Sequence, residues 1–235
     1  MRIGGLQKFS LLDYPGELSS IIFTQGCNFK CPYCHNPELV VPEIFRQPLD
    51  TEKVLRFLYR RRRKITAVVV TGGEPTLQED LIDFLRLIKA MRFKVKLDTN
   101  GSNPEMLSRA LYYQAVDYIA MDLKAPNELY QKLTRSKVKI DDIRRSMEII
   151  RLSGLPYEFR TTVAEDILFG DDLFRIRDLL KEGDRYYLQP CNYSTTLDDL
   201  ARHRLKSPNL SSEESFQKFK DWAEQHRVLL QVRGE

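Results

Sequence analysis

The sequence predicts an α/β fold built on a parallel sheet. Three observations carry that expectation. Short β-branched runs alternate with longer helical patterns about six times along the chain. Several of these runs are nearly continuous in apolar residues, as strands covered on both faces are. The residues of unusual chemistry fall just after the runs, where the strand ends of a parallel fold open onto one rim. The pattern leaves a (β/α) barrel, full or partial, or an open doubly wound sheet, and about six units are too few for a complete eight-fold barrel. The 235 residues read as one domain over 1–235. Its core spans about 18–190, and a C-terminal extension over 191–235 adds a helix and a candidate last strand.

Composition narrows the class. Hydrophobic residues make up 42% and charged residues 30%, a globular balance that excludes a disordered or collagen-like chain. No run approaches the roughly 18 apolar residues of a membrane span. Met1-Arg2-Ile3-Gly4-Gly5 leads into polar residues rather than a signal-peptide core, so a cytoplasmic location is expected. The 37 basic and 33 acidic residues leave a net charge of +4, too small an excess to argue for nucleic acid.

The expected strands, in order, are Ser20–Gln25, Ala67–Thr71, Val95–Thr99, Val116–Asp122, Glu158–Val163 and Arg185–Gln189, with Val228–Val232 as a candidate seventh. Helical patterns lie between them, at Asp50–Arg63, Pro104–Tyr113, Asp141–Ser153 and Asp172–Lys181. The clearest follows Thr76-Leu77-Gln78-Glu79, a capping-box pattern. After it, Leu77, Leu81, Phe84, Leu85 and Ile88 recur at helical spacing and form one apolar stripe. Ser211-Ser212-Glu213-Glu214 opens another capped helix running to about His226.

Chemistry concentrates at the strand ends. Cys27–Asn36 follows the first strand and Gly72-Gly73-Glu74-Pro75 the second. Asp98-Thr99-Asn100-Gly101 closes the third and Asp122-Leu123-Lys124 the fourth. Arg160 lies in the fifth, and Gln189-Pro190 closes the sixth. On one rim these distant segments converge. The chain has four cysteines, of which Cys27, Cys31 and Cys34 stand at C-x₃-C-x₂-C spacing and Cys191 lies far away. Clustered thiols in a reducing compartment bind metal or do redox chemistry more often than they form disulfides. Three thiolates on a tight loop suit three corners of an iron–sulfur cube, with one iron left open. The alternative is a structural zinc with Cys191 or His35 as fourth ligand.

The cysteine spacing, with Tyr33 before the last cysteine, together with Gly72-Gly73-Glu74-Pro75, resembles the radical S-adenosylmethionine (SAM) superfamily. Within it, Asp13-Tyr14-Pro15-Gly16, Phe23-Thr24-Gln25-Gly26-Cys27-Asn28 and Tyr33-Cys34-His35-Asn36-Pro37 resemble glycyl-radical enzyme activases. The similarity is to the longer anaerobic ribonucleoside-triphosphate reductase activating proteins. It implies a partial (β/α)6 barrel with parallel strands. It also implies a 4Fe–4S cluster on Cys27, Cys31 and Cys34, with SAM chelating the fourth iron through its methionyl amine and carboxylate. One electron from the reduced cluster would split the sulfonium, and the resulting 5′-deoxyadenosyl radical would take a Cα hydrogen from a glycine of the partner. The implied partners are the large subunit of the anaerobic reductase and an electron donor such as a flavodoxin or ferredoxin, with neither membrane nor nucleic acid.

The same resemblance gives the rim residues roles. Gly72 and Gly73 are expected to let the backbone approach the methionyl ammonium, with Glu74 in support; the local alternative is a tight turn with Pro75 in a first helical turn. Asp98, Thr99 and Asp122 are placed around the methionyl group, with a monovalent cation between the carboxylates; the alternative is turn capping. Lys124 and Arg160 are expected to meet the cofactor carboxylate or ribose, since an Arg on a barrel strand is costly without an anionic partner. His35 and Asn36 either order the loop or line the adenine edge. Where some activases carry a His after the last strand's Pro, this chain has Cys191 and Asn192, so Gln189 or Asn192 is the expected substitute. Cys191 reads most simply as a small buried hydrophobe.

Two features have plain readings. Arg60-Arg61-Arg62-Arg63-Lys64 ends a helix, where cations complement the dipole, with phosphate or RNA binding as the alternative. Phe216, Phe219 and Trp222 form a packing stripe, or else a docking surface for the partner. The competing functions are an activase of another glycyl-radical enzyme, a radical enzyme acting on a small molecule or RNA base, and a non-catalytic zinc or iron–sulfur module.

Overall fold

The structure is a computed structural model that describes residues 1–164, 168, 170–198 and 213–233. One eight-stranded sheet runs through it in strict sequence order. Strand β1 (Ile3–Ser10) pairs antiparallel with β2 (Ser19–Thr24). From there each strand pairs parallel with the next: β3 (Ala67–Gly72), β4 (Lys94–Thr99), β5 (Tyr118–Asp122), β6 (Tyr157–Val163), β7 (Arg185–Pro190) and β8 (Leu229–Val232). Among the described residues no pairing joins β8 to β1, so the sheet is a partial barrel. The candidate last strand is present as β8, beside β7.

Strand β1 was not foreseen from the residues. Gly4 and Gly5 give its segment low strand propensity. They are there for close packing: a Cβ on Gly4 would lie 2.4 Å from Leu39 Cδ2 and 2.8 Å from Gln25 Cγ. The glycine therefore holds β1 against the chain that leads into the cysteine loop.

Helices cover the outer face. Helix α1 (Thr51–Arg61) starts at Asp50, whose carboxylate accepts from the amides of Glu52 and Lys53 at 2.8 and 3.3 Å. Helix α2 (Leu81–Ala90) corrects the capping-box expectation. Pro75–Leu77 forms a separate 3₁₀ turn, and Thr76 is bound to Glu74 rather than to a helix amide three residues on. Leu77 consequently leaves the stripe and is 41% exposed, while Leu81, Phe84, Leu85 and Ile88 are buried as expected. Helix α3 (Pro104–Tyr112) is capped by Asn103, which accepts from Met106 N at 3.1 Å. A five-residue α4 (Tyr130–Thr134) precedes α5 (Ile140–Leu152). The expected helix at Asp172–Lys181 is a short α6 (Gly170–Arg175) continued by a 3₁₀ turn over Ile176–Leu179. Helix α7 spans Glu213–Gln225; Ser211 and Ser212, its expected caps, lie outside the described residues.

The two sheet faces differ in chemistry. Val68, Val70, Leu97, Ile119, Met121, Phe159 and Leu188 point outward and join the helices in one large apolar core. Each such aliphatic side chain contributes about 2 kcal/mol of burial. Facing inward, Ile21, Ala67, Val69 and Tyr118 form a small apolar floor, closed by Tyr14 from the β1–β2 connection at a ring separation of 5.6 Å. Other inward positions are charged, with Lys96 and Asp98 on β4, Asp122 on β5, and Glu158 and Arg160 on β6. Strand periodicity of two sorts these charges away from the outer core.

Candidate active site at the open end of the barrel

The cysteine loop leaves β2 and is tied down on several sides. Gly26 N donates to Leu39 O at 2.8 Å and Lys30 N to Thr134 O at 2.8 Å. Tyr33, buried, donates its hydroxyl to Lys124 O at 3.3 Å. Phe29 meets Tyr130 edge-on, with ring centroids 6.3 Å apart. A segment beyond β7 folds back over the loop: Leu197 N donates to Cys34 O at 3.0 Å and Asp198 N to Pro32 O at 3.1 Å. Arg135 holds that segment through a two-point contact with the Asp198 carboxylate.

All three clustered thiols line one cavity of about 350 Å³, within the size range of small-molecule sites. Burial pushes the Cys27 thiol up to about 12 and the Cys31 thiol up to about 11, and it also raises Cys34. A bare thiolate is disfavoured in such a place, and a bound metal centre reverses the balance. Among the described residues no three His, Cys, Asp or Glu side chains converge closely enough to hold a single ion. Three thiols lining one cavity suit an iron–sulfur cluster, in which each sulfur takes its own iron. The donor set of Cys27, Cys31 and Cys34 thus fits a three-thiolate iron–sulfur cluster.

Gly72 and Gly73 line the same cavity, and their small size has a cause inside the chain. Gly72 adopts φ +117°, and a Cβ there would lie 2.3 Å from Thr24 N. A Cβ on Gly73 would lie 2.1 Å from Gly26 O. The β2 and β3 exits pack backbone to backbone, with Gly73 N donating to Thr24 O at 2.9 Å and Glu74 N to Gly26 O at 2.7 Å. The close approach that the sequence suggested for a ligand is at least equally an approach to the cysteine loop itself.

Glu74 is fully enclosed and acts between turns. One carboxylate oxygen accepts from Thr76 N at 3.0 Å, Thr76 Oγ1 at 2.5 Å and Thr99 Oγ1 at 2.7 Å. The other accepts from Asn100 N at 2.6 Å. Burial raises its pKa against these stabilising bonds. Glu74 therefore rivets the β3 exit to the β4 exit, which fixes Thr99 beside the cavity. Asn100, not singled out as a site residue beforehand, extends the tie: its Nδ2 donates to Asn28 Oδ1 at 2.9 Å and lies 3.9 Å from Cys27 Sγ.

The charged residues meet one another. Arg160 Nε donates to Asp122 Oδ1 at 2.8 Å, and its Nη1 to Asp98 Oδ2 at 3.2 Å. Lys124 Nζ donates to Asp122 Oδ2 at 3.0 Å. Burial works against the Asp122 carboxylate, but Arg160 and Lys124 outweigh it and hold its pKa well below the usual range. Lys124 and Arg160 are in turn held protonated, Asp122 overcoming their burial. The anionic partner that the sequence argument sought for Arg160 in a cofactor is supplied by the chain. The guanidinium also stands between Asp98 and Asp122, where a monovalent cation was expected. Asp98, Thr99, Asp122, Lys124 and Arg160 all line the cavity.

His35, Asn36 and Gln189 line the cavity too, and Asn192 does not. Asn192 is exposed, and its Oδ1 accepts from Ser194 N at 3.0 Å, which turns the side chain into its own loop. Its backbone N donates to His35 Nε2 at 3.1 Å, and Cys191 Sγ lies 3.6 Å from the same nitrogen. His35 thereby orders the loop by joining it to the β7 exit, and burial lowers its pKa. Cys191 is buried as expected. Lys96 and Glu158 were missed as parts of the site. Their signal was a charge two residues from another charge on the same strand, Lys96 with Asp98 and Glu158 with Arg160.

Comparison with known proteins places this geometry. Residues 21–182 match the Radical SAM superfamily. The chain is 31% identical over 195 residues to "Putative glycyl-radical enzyme activating enzyme MJ1227" of Methanocaldococcus jannaschii, covering 80% of this chain and 78% of that one. It is 32% identical over 161 residues to the pyruvate formate-lyase-activating enzyme of Clostridium pasteurianum, covering 63% and 64%. The crystal structure of Streptococcus suis SuiB bound to S-adenosylmethionine superposes with a TM-score of 0.61 at 18% identity, covering 88% of this chain and 48% of that one. That last likeness concerns fold alone, and this chain spans about half the length of that neighbour. No helix among the described residues is long and apolar enough to cross a membrane. The chain belongs to the radical SAM superfamily, with glycyl-radical enzyme activating enzymes among its relatives.

Proposed function

We propose that the protein is a glycyl-radical enzyme activase, with Cys27, Cys31 and Cys34 holding a 4Fe–4S cluster and SAM bound against the β3 and β4 exits. The observation that carries this reading is the shared cavity: the three thiols line it together with Gly72, Gly73, Asp98, Thr99, Asp122 and Lys124. When bound and reduced, cluster and cofactor supply one-electron cleavage of a carbon–sulfur bond and abstraction of a hydrogen atom. The chain's own residues bind and orient. The Gly72-Gly73 turn offers backbone groups to the methionyl ammonium, with Glu74 locking that turn. Lys124 and Arg160 balance Asp98 and Asp122, so that the wall presents paired rather than bare charges. Tyr33, His35, Asn36 and Gln189 border the nucleoside side. A monovalent cation near Asp98 and Asp122 belongs to the same proposal; Asp98 Oδ1 accepts no hydrogen bond and has the Lys96 ammonium at 3.4 Å.

The proposed partner is the large subunit of anaerobic ribonucleoside-triphosphate reductase, on the resemblance carried by Asp13–Gly16, Phe23–Asn28 and Tyr33–Pro37. The similarity to a pyruvate formate-lyase-activating enzyme favours a second partner of the same chemistry. A flavodoxin or ferredoxin is the proposed electron donor. The cytoplasm is the proposed compartment, because these thiols must stay reduced. Residues 1–235 are proposed to form one domain, since β8 continues the sheet that the core begins. The test is to mix the reduced, reconstituted protein with SAM and each candidate partner, then record electron paramagnetic resonance spectra. A glycyl doublet on the reductase supports the reading, a doublet only on the lyase moves the partner, and no doublet on either rejects the activase.

A further inference from the structure

Strand β8 is followed by Arg233, which lies against β6 rather than in the cavity. Its guanidinium meets both Glu158 oxygens, at 3.0 and 2.5 Å, and lies 4.0 Å from the Tyr187 ring centroid. Glu158 is fully buried on β6, two residues before Arg160. The same carboxylate accepts from Tyr118 Oη at 3.0 Å and has two further cations at 3.7 Å, Lys96 Nζ and Arg160 Nη1. Arg160 thus stands among three carboxylates: Glu158 below, and Asp98 and Asp122 in the cavity wall at 3.2 and 2.8 Å.

We infer that Arg233 is a positioning residue for the cofactor cavity, acting through Glu158 to keep Arg160 on Asp98 and Asp122. The inference rests on the radical SAM reading of that cavity. A buried carboxylate stripped of its charge-assisted partner draws in whatever cation is near, because leaving it unpaired is costly. Without the Arg233 head group, the nearest cations to Glu158 are Arg160 and Lys96, each 3.7 Å away. Arg160 turning down leaves Asp98 and Asp122 short of charge. Lys96 turning away weakens its 3.4 Å pairing with Asp98 Oδ1. Either movement reshapes the wall, although Arg233 itself does not line it. The extension beyond the core is therefore wired to the site.

The experiment uses the reconstituted holoenzyme and measures SAM dissociation constant, iron content and thermal midpoint for each variant. Arg233→Met should raise the dissociation constant about tenfold, as coupled neighbours do, with iron content unchanged. Arg233→Lys should recover part of the affinity. Adding Glu158→Gln to Arg233→Met should recover most of it, because a neutral amide no longer pulls on Arg160. A purely structural role predicts a double variant no tighter than the single one. Parental affinity in Arg233→Met, or no recovery in the double variant, overturns the inference. If Arg233→Met does not fold, Arg233→Lys at parental stability should still bind about two- to threefold more weakly, and parental affinity there overturns it instead. A parent protein that binds no SAM defeats the reading of the cavity, which is a separate result.

Discussion

Gly73 shows how little space separates the two halves of the site. An added Cβ would meet Gly26 O at 2.1 Å, and a backbone atom cannot swing aside as a side chain can. Gly73→Ala should therefore destabilise the protein by about 2 kcal/mol or more, read as a lower denaturation midpoint, and should reduce cluster uptake by displacing the cysteine loop. Cys27→Ala, Cys31→Ala and Cys34→Ala should each abolish the intact cluster, while Cys191→Ala should keep it, as iron analysis will show. Loss of iron in Cys191→Ala would revive the fourth-ligand reading. The cysteine spacing and the Gly-Gly-Glu-Pro turn were legible in the sequence because their chemistry is local. The rivet made by Glu74 was not, because its partners Thr99 and Asn100 come from another strand. Nor was the internal pairing of Arg160, since only the β5–β6 register sets Asp122 beside it.

At the level of elements, the parallel strands were readable from their β-branched runs and α2 from its apolar spacing, while the five-residue α4 was not foreseen. Strand β1 was hidden by its glycines, and the 3₁₀ turn at Pro75–Leu77 was mistaken for a capping box because Thr76 serves Glu74 instead. The segment after β7 could not be foreseen at all, as its contacts are backbone amides. Leu197 and Asp198 donate those amides to Cys34 O and Pro32 O, and Arg135 pins the segment through Asp198. An exposed ion pair of this kind contributes at most about 1 kcal/mol. Arg135→Ala should accordingly leave global stability nearly unchanged while lowering hydrogen-exchange protection at Leu197 and Asp198. Unchanged protection at both amides would show that Arg135 does not hold the segment.

Across the whole molecule, the sheet separates an apolar exterior under the helices from a charged interior. That interior should govern acid stability. The folded pKa values of Asp122 and Glu158 are depressed, burial being outweighed by Arg160 and Lys124 for the first, and by Arg233, Lys96 and Arg160 for the second. Unfolded, the two titrate near 3.8 and 4.5. Their stabilisation is thus complete above those values and is lost as pH falls through the lower folded values. Thermal midpoints should fall below about pH 4, with a shallower fall in Asp122→Asn. An equally steep fall in that variant would remove Asp122 from the cause. The central claim is that three thiols and the facing turns form one site for reductive SAM cleavage. It is tested most directly by counting 5′-deoxyadenosine released from SAM by the anaerobically reconstituted, reduced protein. Release by the parent, carrying about four irons per chain, and none by Cys31→Ala is the predicted result. A parent that carries one zinc and releases none would contradict it.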